Sequence, residues 1–128
     1  MKNGLAWAAL GGAESRSLSF RPLEESGNML GGWSHELLTI QSDVLAAMGD
    51  LRRVMDVVVE GALRAIPNAD GAAVELLDGN DLVFRAASGS CGASVGMRLP
   101  YPQSLSWACV ESGNPQICLD SEHDPRVD

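Results

Sequence analysis

Two apolar runs, Ala72-Ala73-Val74-Glu75-Leu76-Leu77 and Leu82-Val83-Phe84-Arg85-Ala86-Ala87-Ser88, flank the tetrapeptide Asp78-Gly79-Asn80-Asp81. Gly and Asn tolerate positive φ and Asp bonds its own backbone, so the tetrapeptide is turn chemistry and the two runs predict a β-hairpin. Strict alternation would put Leu82, Phe84 and Ala86 on one face, with Val83, Arg85 and Ala87 on the other. Residues 95–99 supply a third short strand before Pro100. A hairpin with an apolar face is not stable alone in water, so the chain must cover it.

The cover precedes it in sequence. Leu51, Val54, Met55, Val58, Val59, Ala62, Leu63 and Ile66 recur at the spacing of one helix face, and Arg52, Arg53, Asp56, Glu60 and Arg64 take the other. Asp50 is placed to cap this helix, and Pro67, which lacks a backbone donor, ends it. Laying the helix on the hairpin predicts an α+β layer pair. A weaker helix over 34–48 is expected from Ser34 as N-cap, with Leu37, Leu38, Val44, Leu45 and Met48 as its apolar stripe. That stripe has two uses between which the residues do not choose: packing within the domain, or a dimer seam. Residues 1–33 are expected to be flexible. Gly4, Gly11, Gly12, Gly27, Gly31 and Gly32 punctuate them, the segment 15–19 is polar, and Phe20, Leu23 and Trp33 follow no period. The start, MKNGLAWAAL, has a short apolar core and no small-x-small cleavage site, so it is read as retained. Beyond Pro100, Ser104 caps a short helix over 104–112 with Leu105, Ala108, Cys109 and Val110 inward, and Gly113 stops it. Residues 115–118 then read as a short strand, and Asp124-Pro125 as the opening of a further helix.

Charge narrows the partners. The 128 residues fit one domain, and 9 Lys plus Arg stand against 17 Asp plus Glu, a net charge of −8. No basic stripe exists to displace counterions, so neither a nucleic acid nor an anionic membrane surface is an expected partner. No apolar run approaches the ~20 residues of a membrane-spanning helix. The 3 cysteines cannot all pair with one another and read as reduced thiols of a cytoplasmic protein.

Few residues offer chemistry by themselves. Cys91 lies in the loop Ser88-Gly89-Ser90-Cys91-Gly92 and is expected to be exposed, whereas Cys109 and Cys118 read as small buried hydrophobes. Asp120, His123 and Asp124 contain a single imidazole and no second cluster to complete a metal shell, and Asp124 before Pro125 is better read as a cap. His35 is expected to be solvated. Glycines 89, 92 and 96 are not followed by Lys-Ser or Lys-Thr and form no phosphate loop, and no Gly-X-Ser-X-Gly elbow occurs.

Three motifs taken together carry a resemblance. Ala69-Asp70-Gly71-Ala72 leads into the first strand, Ser104-Leu105-Ser106 opens the short helix, and Asp124-Pro125-Arg126-Val127-Asp128 closes the chain. With these, residues 37–128 resemble the first part of a bacterial GAF domain. The resemblance implies a six-stranded antiparallel sheet with helices on one face and a small-molecule pocket on the other. Its first strand would lie between the second and the last. This chain offers candidates for the first four strands alone, so the resemblance implies a partial GAF domain over 34–128 that lacks the C-terminal central strands. The 72–77 strand would then keep a bare edge, and the domain is expected to be marginal, dimeric through edge pairing, or partly disordered. The implied function is non-catalytic: a sensory or regulatory module of bacterial signal transduction. It would bind a small ligand, form a homodimer through the N-terminal helices and act on a signalling output domain or protein. The segment 101–118 would bound the pocket, with Ser104, Trp107, Cys109 and Cys118 lining it and Asp120 at its rim. Many relatives carry Gly where this chain has Trp107, and a large indole there would fill the cavity. The cofactor is left unknown, because cyclic nucleotide, haem, bilin, amino acid and no ligand at all occur in the family. No Cys precedes a His here, which argues against a bilin photoreceptor. The enzymatic alternative is a cysteine-dependent GAF-fold enzyme reducing free methionine R-sulfoxide. That chemistry needs a low-pKa thiolate, and no Lys, Arg or His adjoins any of the cysteines in sequence.

Overall fold

The computed structural model describes residues 5–8, 29–100, 104–120 and 122–126. The elements run β1 (Leu5–Ala8), α1 (Met29–Ala46), α2 (Leu51–Ala65), β2 (Gly71–Asp78), β3 (Asp81–Gly89), a 3-10 turn (Gly92–Ser94), β4 (Arg98–Pro100) and α3 (Leu105–Ser112). The strands form one open antiparallel sheet in the order β1-β2-β3-β4, and α2 packs on it, so the fold is α+β.

The hairpin forms where its turn chemistry places it. Asp78 pairs with Asp81, leaving Gly79 and Asn80 as the loop, and Gly79 takes the left-handed conformation at φ 65°. Arg98 fastens β4 to the turn end of the hairpin, its guanidinium donating to Asp81 at 2.9 Å and Asp78 at 3.0 Å. The faces of the hairpin are not those of simple alternation. Val74 pairs with Ala86 but Glu75 pairs with Phe84, so Arg85 is an extra residue in β3. The bulge reverses facing beyond it. Ala86 joins Ala72 and Val74 against Val59 of α2, whereas Phe84 joins Ala73 and Cys91 on the opposite face. Phe84 and Ala86, expected side by side, are separated by the sheet.

Helix α2 is close to its sequence pattern. Asp50 caps it by accepting from the Arg53 amide at 3.0 Å, and Met55, Val58, Val59, Ala62 and Leu63 reach the sheet. Helix α1 differs in two ways. It starts at Met29, so Ser34 is an interior residue and not a cap. It also runs through Gly31-Gly32. Glycine costs a helix about 1 kcal/mol per residue, a penalty but not a prohibition. Nor does α1 dock by its leucine stripe. It meets α2 through Ile40, whose side chain lies where a Cβ on Gly61 would fall at 2.8 Å, through buried Ala47, and through the Glu36–Arg64 ion pair at 2.7 Å. Leu37, Leu38, Leu45 and Met48 stay exposed.

Two further expectations are corrected. The edge of β2 is not bare: Leu5–Ala8 pairs with it antiparallel, Ala6 opposite Glu75 and Trp7 opposite Val74. Of the 1–33 segment, expected to be flexible, the described residues are 5–8, which form this strand, and 29–33, which open α1. A short alternating stretch such as Leu-Ala-Trp-Ala is strand-like only when an unsatisfied edge awaits it, and that edge lies over 60 residues away in sequence. Residues 115–118, expected as a strand, are irregular. Pro115 has no amide hydrogen, and the Arg126 guanidinium occupies the Ile117 carbonyl at 3.0 Å. The turn expected at 15–19, Phe20, Leu23, residues 101–103 and the end of the closing motif at Val127-Asp128 lie outside the described residues.

Candidate functional site

The sheet face away from α2 carries the chemistry. Helix α3 lies against β1 on that side, capped as its sequence dictates: Ser104 Oγ accepts from the Trp107 amide at 3.1 Å, and Gly113 ends the helix at φ 69°. The cap turns Ser106 inward. It is buried, while Leu105, Trp107, Ala108, Cys109 and Val110 around it are half-buried.

Ser106 meets a carboxyl. Glu75, in the middle of β2, is 2% exposed, and Ser106 Oγ donates to its Oε1 at 3.0 Å. Its Oε2 is buried and has no hydrogen-bond partner among the described residues. Burial pushes the Glu75 carboxyl above the usual range, and the hydroxyl of Ser106 only partly opposes that by stabilising the anion. A buried acceptor left unsatisfied costs about 1–3 kcal/mol, so this group is not a packing residue of convenience. The sequence reading passed over the Glu75–Ser106 pair. One signal for it existed: Glu75 is the sole charged residue in the otherwise apolar run 71–77.

The expected site residues divide into two groups. Ser104, Trp107 and Cys109 share α3. Cys118 and Asp120 belong to a second cluster built on the closing loop. There Arg126 donates to Asp124, to Gln116 Oε1 at 3.0 Å and to the Ile117 carbonyl, which clasps 116–118 against 124–126. Asp120 accepts from the Glu122 amide at 3.0 Å and pairs with His123 at 2.9 Å. The Arg126 guanidinium beside Asp124 holds that carboxyl far below the usual range. Burial, and then a hydrogen bond with Asp124, push the Cys118 thiol up.

Two concavities of the described surface lie away from Ser104, Trp107 and Cys109. One of about 240 Å³ lies between α1 and α2, lined by residues including Asp43, Ala47, Arg53 and Val57. The other, shallow and about 530 Å³, lies at Ile117, Leu119, Asp120 and His123. No three His, Cys, Asp or Glu side chains converge as a metal site among the described residues. Cys91, expected to be exposed, is 6% exposed. The Ser90 amide donates to the Asp70 carbonyl at 2.8 Å and draws the loop over β2, where Gly71 leaves room: a Cβ there would stand 2.7 Å from Cys91 Sγ.

No family model matches this chain, and no curated protein or solved structure matches it significantly.

Proposed function

We propose that this chain is a non-catalytic sensory or regulatory module of the GAF type, cytoplasmic, that self-associates through α1 and passes its state to a signalling partner. The observation that carries this reading is the exposed apolar flank of the helix pair. Leu38 is 65% exposed, Leu45 67%, Met48 70% and Leu51 67%, on helices that dock to each other by other residues. Fully burying such a side chain is worth about 1.5–3 kcal/mol, which gives a second copy a driving force to cover this flank. The two sheet faces supply the parts of a relay. One bears the helix pair with its open flank, the other bears α3 over a buried carboxyl. A signal that shifts the population of α3 positions on one face can be read as helix pairing on the other. The thiols do not favour reductase chemistry, since Cys91 is buried and the Cys118 thiol is raised, not lowered.

Sedimentation velocity over a concentration series tests the reading. The wild type should shift to dimer mass with rising concentration, and Leu45→Glu should remain monomeric, because Leu45 is exposed and its replacement leaves the α1–α2 contact intact. Equal masses for both at every concentration would remove the proposal.

A further inference from the structure

We propose that Glu75 and Ser106 form a proton-dependent latch that holds α3 on the sheet. The inference goes beyond the self-association reading and does not depend on it, because it concerns the opposite face of the sheet. Ser106 is the one buried residue of α3, and its 3.0 Å bond to Glu75 Oε1 is the buried polar contact between that helix and the strand. The docked helix keeps the carboxyl from water. An ionised carboxyl so enclosed needs a cation or several donors, and among the described residues it has one hydroxyl.

Among the described residues the neighbouring groups offer no compensation. On β3 the residue opposite Glu75 is Phe84, and Arg85 beside it is turned to Asp78 at 3.4 Å. On β1 the partner is Ala6, and Leu5–Ala8 contains no titratable side chain. On α3 the charged residue is Glu111, which is exposed, and the titratable one facing inward is half-buried Cys109. Cys91 shares the face with Ala73 and Phe84 and is a neutral thiol in an apolar cluster. Docking of α3 thus selects the protonated carboxyl, which sheds its desolvation cost and can itself donate to Ser106. Release of α3 returns water to Glu75 and lets it ionise. A proton binds on docking and leaves on release. Between the pKa of the exposed carboxyl and the raised pKa of the docked one, each pH unit therefore shifts the docking equilibrium toward release by up to about tenfold.

Hydrogen exchange on the full-length chain tests the latch, from about pH 4 to pH 9. For the amides of 107–112, the ratio of exchange rates in wild type to those in Glu75→Gln cancels the intrinsic pH dependence. Glutamine keeps the shape and an acceptor for Ser106 but cannot ionise. The expected ratio is flat in acid, climbs by up to about tenfold per pH unit, then levels. These amides should also be less protected than those of 72–76 at every pH, because α3 lifts without unfolding the sheet. A ratio that stays constant across the range overturns the proposal, and so does equal protection of the two segments. Should Glu75→Gln fail to fold, emission from Trp107 in a Trp7→Phe, Trp33→Phe background decides the matter. It should shift to the red as pH rises, and an unchanged spectrum overturns the latch.

Discussion

Single residues set the tightest constraints in this chain, and Gly89 sets the sharpest. It sits at φ 64°, and a Cβ on it would fall inside the Asp70 carbonyl. That carbonyl accepts from Ser90 and closes the loop that buries Cys91, so neither backbone can retreat. Gly89→Ala should lower unfolding stability by at least about 2 kcal/mol in chemical denaturation. Glu75 is the second such residue. Its pKa is raised in the folded chain, so the stability it contributes is full below its unfolded pKa and is lost as pH rises through the folded one. Wild type should therefore lose denaturant resistance relative to Glu75→Gln toward alkaline pH, and an identical pH dependence of the two midpoints would contradict the assignment. Glu75 was visible in the sequence as a charge among apolar neighbours, but its partner was not. Nothing local ties residue 75 to residue 106.

At the scale of elements, legibility follows the range of the forces involved. Helices α2 and α3 end where their caps and stops say, because Asp50, Pro67, Ser104 and Gly113 act within one turn of their own backbone. Ser104→Ala should accordingly fray α3, costing about 1 kcal/mol of helix stability and speeding exchange of the first α3 amides while those of α2 are unchanged. The hairpin turn was legible for the same reason. Its bulge at Arg85 was not: an extra residue in one strand is an agreement between two strands, and alternation read along one of them cannot register it. Helix α1 was misjudged at its start for a related reason. Its docking rests on Ile40 meeting a helix face that Gly61 leaves open. Gly61→Val should push the helices apart and speed hydrogen exchange of the α1 amides around Ile40.

The whole molecule depends on a pairing between its beginning and its middle. Strand β1 satisfies the β2 edge over Ala73, Val74, Glu75 and Leu76, and it forms the floor under α3. Proline in β1 would fix φ and disrupt that ladder. Ala6→Pro should thus lower stability by more than about 1 kcal/mol and raise concentration-dependent association through the freed edge, both measurable by denaturation and sedimentation. If the variant matched wild type in both, β1 would not be the partner that keeps β2 paired.

The amino-acid sequence by itself determined the α+β class, the amphipathic helix, the hairpin and the caps of α2 and α3, since these rest on periodicity and on contacts within a few residues. Tertiary structure alone decided which strand closes the β2 edge, which side of α1 is left open, and that a glutamate and a serine 31 positions apart share a buried hydrogen bond. Those outcomes depend on which surfaces remain unsatisfied once the local elements have formed. Only the packed chain contains that information, because desolvation and hydrogen-bond satisfaction are properties of neighbours in space.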